Sequence, residues 1–361
     1  MLLLLHIVVF LLGASLVVYT LGSAIRTFVL PRSASDMVSF MVFLLVFRIF
    51  SIGLSRVQSY ERKDRMLAFY APISLLALPV VWLALVLIGY MGMFWALGVS
   101  SWWLAFNMSG SSLLTLGFAQ GNDIFKILLT FSEAAAGLIL VALLISYLPT
   151  MYSAFSRRES AVSMLAVRAG TPPSAVTMLT RYYSLQKLDK LSELWETWEM
   201  WFVDVEESHT SLAALSFYRS PRPQRSWVTA AGAVLDAASL ITSTVDVPHD
   251  PQAGLCIQAG FLALQHVADF FSIPYNSHPQ SDDPIRITRE EYDIACEQLA
   301  REGVPLKADR EQTWKDFAGW RVNYDTVLIA LATLTMAPEA PWSSDRRLET
   351  PHLSLKLRRR Q

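Results

Sequence analysis

Side chains able to hold a metal recur twice at helical spacing, as Glu206-x-x-His209 and His266-x-x-Asp269. Residues three apart share one face of a helix, and such pairs furnish part of the di-metal sites of helix bundles. A complete site needs further carboxylates from other helices, and no run marks their positions. His209 and His266 therefore read as capping or core-edge residues, and a metal site stands only as an alternative. Cys256 and Cys296 lie 40 residues apart with no second thiol or imidazole at ligand spacing, so they read as two small buried thiols. No Ser/His/Asp or Cys/His grouping suits nucleophilic catalysis. Neither a G-x-x-x-x-G-K phosphate loop nor a G-x-G-x-x-G run occurs. These readings predict a protein that is not an enzyme and carries no cofactor or metal. Glu133 differs from the other acids, because it sits inside a long apolar run, where an ionisable group defaults to a functional role.

The elements that must position these groups fall into two halves. Residues 1–154 carry eight Lys/Arg and five Asp/Glu, and residues 155–361 carry 22 and 26. The first half reads as membrane-embedded and the second as water-soluble. The formal net charge of −1 gives no global field of the kind that attracts nucleic acid.

Residues 1–25 hold no Asp, Glu, Lys or Arg, long enough as a helix to cross a hydrocarbon core of ~30 Å. The opening MLLLLHIVV lacks the basic start and small-residue cleavage site of a signal peptide, so an uncleaved span is expected. Arg26 and Arg32 follow, which predicts an outside N-terminus. Residues 36–56 are apolar enough to span but carry Arg48 centrally. Arg48, Ser51 and Ser55 share one helical face, and a helix lying in the cytoplasmic interface satisfies them and the charge rule together. A second span is the alternative for residues 37–55, and Arg56, Arg62, Lys63 and Arg65 are expected to be cytoplasmic either way.

Residues 66–122 run for 57 positions without a charged side chain. As one helix they would reach ~85 Å, almost three bilayer thicknesses, so the segment must break. A span fits 69–97, with Pro72 and Pro79 early in it. The tail SSWWLAFNMSGSSLLTLGFAQGN is rich in Ser, Gly and aromatics, and such backbone is tolerated at membrane depth only where protein buries it or water lines it. A last span is expected from about Ile124 to Tyr152, with Arg157 and Arg158 marking a cytoplasmic end. Two antiparallel spans thus enclose a re-entrant segment on the outer side.

The stretch from Ala105 to Ala119, AFNMSGSSLLTLGFA, resembles the pore helix and filter of the potassium-channel family, whose filter reads TVGYG. The same five places here are Thr115, Leu116, Gly117, Phe118 and Ala119. The resemblance covers residues 67–155. It implies a filter strand whose carbonyls replace an ion's hydration shell, and four chains around one axis. Gly137 and Pro149 resemble the hinge and lower bend of the family's inner helix, and Trp102–Trp103 an interfacial anchor. Glu133, one turn before Gly137, could face the pore or brace the filter from behind, and both readings stay open. Ala119 replaces the glycine that gives the filter its left-handed outer turn, at a cost of roughly 1 kcal/mol per chain if that conformation is kept. Weakened potassium selectivity is the expected consequence.

The soluble half reads as helical throughout. Helices are expected over 160–218, broken at Gly170-Thr-Pro-Pro173, then over 226–246 and 252–272. Trp195, Trp198 and Trp201–Phe202 form a packing stripe. Thr288-Arg-Glu-Glu291 resembles a capping box that starts a helix to about Arg301. One long helix is expected from Trp314 to Met336, and the basic tail Lys356–Arg360 is expected frayed or on the membrane surface.

The expectation is an all-α membrane protein. It comprises an N-terminal transmembrane helix (1–26), an interfacial helix and linker (27–65), a two-span pore domain with pore helix and filter (66–155), and a helical cytoplasmic domain (156–361). Its function would be that of a homotetrameric, multi-pass cation channel of the cell membrane. Its partners would be monovalent cations, potassium first, and the lipid bilayer, with no nucleic acid. A non-conducting membrane scaffold with a relic pore and a membrane-tethered metalloenzyme are the alternatives.

Overall fold

The computed structural model describes residues 2–30 and 36–346, so Arg32 and the basic tail Lys356–Arg360 lie outside the described residues. Every regular element among them is a helix, apart from a lone antiparallel bridge between Val245 and Leu306. The chain divides into two compact units, Met1–Ser153 and Ala154–Gln361.

The first unit contains α1 (Leu2–Phe28), α2 (Met37–Leu54), α3 (Tyr60–Leu67), α4 (Tyr70–Ala96), α5 (Trp102–Leu113) and the beginning of α6 (Ile124–Ala169). Four helical stretches are long and apolar enough to cross a membrane: Leu2–Phe28, Met37–Leu54, Tyr60–Ala96 and Ile124–Ala169. Four such helices fit a membrane protein. The helix expected in the interface, α2, is among them by length and composition; Arg48 on it is exposed.

Helix α1 buries only small or short residues: Gly13, Val17, Thr20, Ser23 and Ala24. Their three-to-four-residue spacing forms a stripe that packs on α4. A Cβ on Gly13 would lie 2.5 Å from the Gly89 carbonyl oxygen, and one on Gly89 would lie 2.9 Å from that of Gly13. The two backbones therefore touch, which only glycines permit. Beyond the glycines a polar knot pins the helix ends. Trp82 Nε1 donates to Ser23 Oγ at 3.0 Å, Ser23 Oγ donates to Asp36 at 2.6 Å, and Arg26 pairs with Asp36 at 3.2 Å. Asp36 also caps α2 by accepting from the Ser39 amide.

The second unit is built on α9 (Trp227–Ser243), which is buried on almost every face. A helix apolar all round must lie inside its unit. Around it lie α7 (Ala175–Ser184), α8 (Leu191–Ser211), α10 (Pro251–Phe270), α11 (Arg289–Arg301), α12 (Arg310–Arg321) and α13 (Asp325–Leu334). The stripe of α8 packs as expected: Trp195, Trp198, Trp201 and Phe202 are all buried in the core. The capping box at Thr288 and Glu291 forms, and α11 ends at Arg301.

Two helical boundaries differ from the sequence expectation. The helix expected to end near Tyr152 continues without interruption to Ala169, a 46-residue element. Pro149 lies inside it without ending it; proline removes one backbone donor, a loss that neighbouring groups in a long helix can absorb. The single helix expected over Trp314–Met336 is two. Asn323 Nδ2 donates to the carbonyls of Gly319 and Trp320 at 3.0 and 3.1 Å, sealing the end of α12 before α13 begins.

Candidate functional site

The segment expected to be re-entrant contains α5. Ser101 caps it by accepting from the Leu104 amide, and Ala105, Met108, Ser109, Ser111, Ser112 and Leu113 face inward. At its C-terminus the chain turns over. The Leu116 amide donates to the Ser111 carbonyl at 2.8 Å and the Thr115 amide to that of Ser112 at 3.0 Å. That paired closure is the Schellman arrangement, and it requires a left-handed residue between its two bonds. Thr115 fills that place with φ 55°, and Gly117 is left-handed at φ 76°. Ala119 is not among the left-handed residues. Its amide donates to Ser111 Oγ at 3.0 Å instead. Ala119 does not keep the family's left-handed conformation, so the cost attached to that conformation does not arise, and a β-branched residue, Thr115, carries the turn.

Leu114, Leu116 and Phe118 are 55%, 60% and 67% exposed in the single chain, and a Cβ built on Gly117 meets nothing within 4 Å. Three apolar side chains on alternate positions are thus more than half exposed in the single chain, a surface that suits lipid or another chain.

Behind the segment, α6 supplies two supports. Glu133 is fully buried, and Ser109 Oγ of α5 donates to its Oε1 at 2.5 Å. The same Ser109 oxygen lies 3.1 Å from the Leu87 carbonyl of α4, an alternative acceptor for its single hydrogen. Glu133 thus joins α6 to α5. Its second oxygen has no partner. One turn on, a Cβ on Gly137 would fall on the Leu113 carbonyl at the end of α5. Glycine at 137 thus has a packing reason: it lets α6 approach the end of α5. Pro149 is exposed, on the same face as Ile145 and Tyr152.

The residues proposed as metal ligands do not assemble in their sequence pairs. Glu206 bonds His266 Nδ1 at 2.7 Å, where both are partly exposed. His209 is buried elsewhere, with Nδ1 against the Val205 carbonyl at 3.0 Å and Nε2 against Arg158 at 3.1 Å. A guanidinium can only donate, so Nε2 accepts and Nδ1 carries the proton. Burial first, and the Arg158 charge second, hold the His209 pKa well below its usual value, against the opposing Val205 bond. Asp269 accepts from Tyr275 at 3.1 Å. Among the described residues no group of three or more His, Cys, Asp or Glu could hold a metal ion. Cys256 and Cys296 are free and buried, and burial pushes the Cys256 thiol up.

Sequence reasoning missed the two buried arginines. Arg158 sits between Glu159 (2.8 Å), the Leu215 carbonyl (2.8 Å) and the Tyr218 carbonyl (2.7 Å). Arg321 pairs with Asp236 and, at 2.8 Å, with Asp325; Tyr324 also donates to Asp236 at 3.0 Å. One signal was available: Asp236 is the lone charge in the apolar run WVTAAGAVLDAASLITS, and a buried acid demands a buried base.

No family model, curated protein or solved structure matches the chain.

Proposed function

We propose that the chain is one subunit of a homotetrameric, multi-pass cation channel of the cell membrane, with Thr115–Ala119 lining the ion path and the second unit in the cytoplasm. The observation that carries this reading is the exposed apolar run Leu114, Leu116 and Phe118 at the end of α5. Helix α5 is held by Glu133 and Gly137 of α6, and the residues at and after its end are exposed, as a filter segment must be before its symmetry mates close around it. Closed rotational symmetry is the ordinary way a subunit covers such a surface. Monovalent cations, potassium first, are the proposed cargo, because backbone carbonyls and a Thr hydroxyl are the oxygen donors there. The charge distribution supports residues 56–65 and the chain after Arg157 on the cytoplasmic side.

Two measurements test the reading. The mass of the purified particle in detergent is expected to correspond to four chains; a monomer or dimer contradicts the proposal. In liposomes, potassium flux is expected to fall to background on Gly117→Ala while the tetramer persists. Gly117 is left-handed, and a Cβ there costs roughly 1 kcal/mol in each chain, re-aiming the flanking carbonyls. Unchanged flux in Gly117→Ala would place the ion path elsewhere, and no flux in the wild type would leave a non-conducting scaffold.

A further inference from the structure

Helix α2 carries an arginine on its outer face that no acid of the described chain answers. Met37, Met41, Leu45, Ile49 and Ile52 are each more than half exposed and recur at three-to-four-residue spacing along one side of the helix. Arg48 is exposed on that same side, three residues from Leu45 and four from Ile52. Among the described residues its guanidinium makes no hydrogen bond and no ion pair. A charge on an apolar helix face is costly in hydrocarbon and must reach polar surroundings. Arg48 lies six residues before Leu54, the end of α2, ~9 Å along the axis. Its stem can lie along apolar surface while its head reaches the headgroups. If α2 lies along the membrane surface instead, the head is among headgroups from the start.

The chain beyond α2 gathers more of the same charge. Residues 48–65 hold five Lys/Arg and two Asp/Glu. The amides of Arg56 and Val57 donate to the Gly53 and Leu54 carbonyls, both at 3.2 Å, so the chain keeps turning past α2 and leaves Arg56 exposed. Helix α3 then folds back on that end: a Cβ on Gly53 would lie 2.7 Å from the tip of Met66. It buries Asp64 and Leu67 and exposes Arg62 and Arg65. Three residues apart, these two arginines are neighbours on one face. Neither they nor Arg56 forms an ion pair among the described residues, and Asp64 is buried with an interaction of its own.

A guanidinium presents a planar fork of donors that fits a phosphate, and clusters of roughly 4–8 basic residues beside a membrane helix attract anionic lipid. The apolar stripe decides between lipid and a soluble polyanion. Nucleic acid or an acidic protein could cover the arginines but would leave Met41, Leu45 and Ile52 in water. We propose that Arg48, Arg56, Arg62 and Arg65 form a docking surface for the headgroup phosphates of anionic phospholipid, whose acyl chains lie along the exposed apolar face of α2. The surface is independent of the ion path, and its test uses no transport measurement.

Full-length protein in mild detergent is incubated with equal amounts of a phosphatidylglycerol and a phosphatidylcholine of identical acyl chains, and retained lipid is read by native mass spectrometry. Phosphatidylglycerol is expected to be retained in preference. The Arg56→Gln/Arg62→Gln/Arg65→Gln variant is expected to bind it at least tenfold more weakly, with phosphatidylcholine retention unchanged. Arg48→Gln is expected to lower the affinity several-fold; if the triple variant fails to fold, Arg48→Gln alone decides. Equal retention of the two lipids by the wild type would overturn the proposal, as would unchanged phosphatidylglycerol affinity in the folded variants. Displacement of the lipid by an equal concentration of glycerol 3-phosphate would show a site for free phosphate and contradict the role of the apolar face. A changed oligomer mass in Arg48→Gln with lipid retention intact would make Arg48 a contact between chains and overturn the proposal as well.

Discussion

The two units solve helix packing with opposite residues. In the first, α1 and α4 meet backbone to backbone at Gly13 and Gly89, and α6 meets the end of α5 at Gly137. In the second, α8 presents Trp195, Trp198, Trp201 and Phe202 to a shared core. In water, large apolar side chains supply the driving force, at roughly 25 cal/mol per Å² removed from solvent. In lipid that force vanishes between helices, and close van der Waals approach of small residues replaces it. Buried charge divides the same way. The second unit pairs Arg321 with two carboxylates, and although burial alone would lower its pKa, Asp236 and Asp325 outweigh that and raise it. The first unit buries Glu133 against one serine and leaves its other oxygen bare.

The largest expected effect breaks the comparison on its charged side. Arg321→Met leaves Asp236 and Asp325 buried without a base, and removing one partner of such a cluster costs about 3–5 kcal/mol. Chemical denaturation of the full chain should show the loss as a lower midpoint of the transition that reports the tryptophan-rich core. A midpoint within experimental error of wild type would mean that the cluster is solvated.

A smaller effect sharpens the packing side. Gly89→Ala puts a Cβ against Val17 and the Gly13 backbone, and overpacking of this kind costs about 1–3 kcal/mol. Gly254 in α10 offers the contrast, since its nearest neighbour to a Cβ is Trp320 at 3.9 Å. Gly254→Ala should therefore stabilise the protein by about 0.5–1 kcal/mol through the helical preference of alanine. Thermal unfolding in detergent reads both; equal signs for the two variants would contradict the close packing assigned to Gly89 and the open space assigned to Gly254.

The pH dependence is gentler still. Because the folded-state pKa of His209 is depressed, the unfolded chain binds its proton first as pH falls. The stability that neutral His209 contributes is present above about pH 6.5 and is lost as pH drops toward its folded value, at up to ~1.4 kcal/mol per pH unit. His209→Gln cannot take up that proton, so its stability should fall less steeply than that of wild type between neutral and mildly acidic pH. Parallel profiles would contradict the assignment.

Much of the helical frame was legible because periodicity and end signals are local. The capping box at Thr288 and the apolar runs behind α9 and α10 declared themselves in this way. The break at Asn323 did not, because it depends on a side chain folding back onto Gly319 and Trp320, and an asparagine in a helical run has other options. The Glu206–His266 pairing was equally hidden: helical spacing proposed partners on one helix, whereas the actual partner comes from another. In the candidate site, residue types drew attention to Glu133 and Gly137, but their shared contact surface, Ser109 and the Leu113 carbonyl, is a property of three-dimensional packing. The left-handed conformation that the resemblance attached to position 119 is not adopted there; left-handed residues occur at Thr115, where the closure of α5 requires one, and at Gly117.

The claim that carries the most weight is that Thr115–Ala119 lines a cation path, and it is tested most directly in a planar bilayer. Purified protein recorded under a potassium gradient is expected to give unitary currents that reverse near the potassium equilibrium potential. Intact protein that inserts yet passes no current, or passes current that reverses at the chloride potential, would contradict the account.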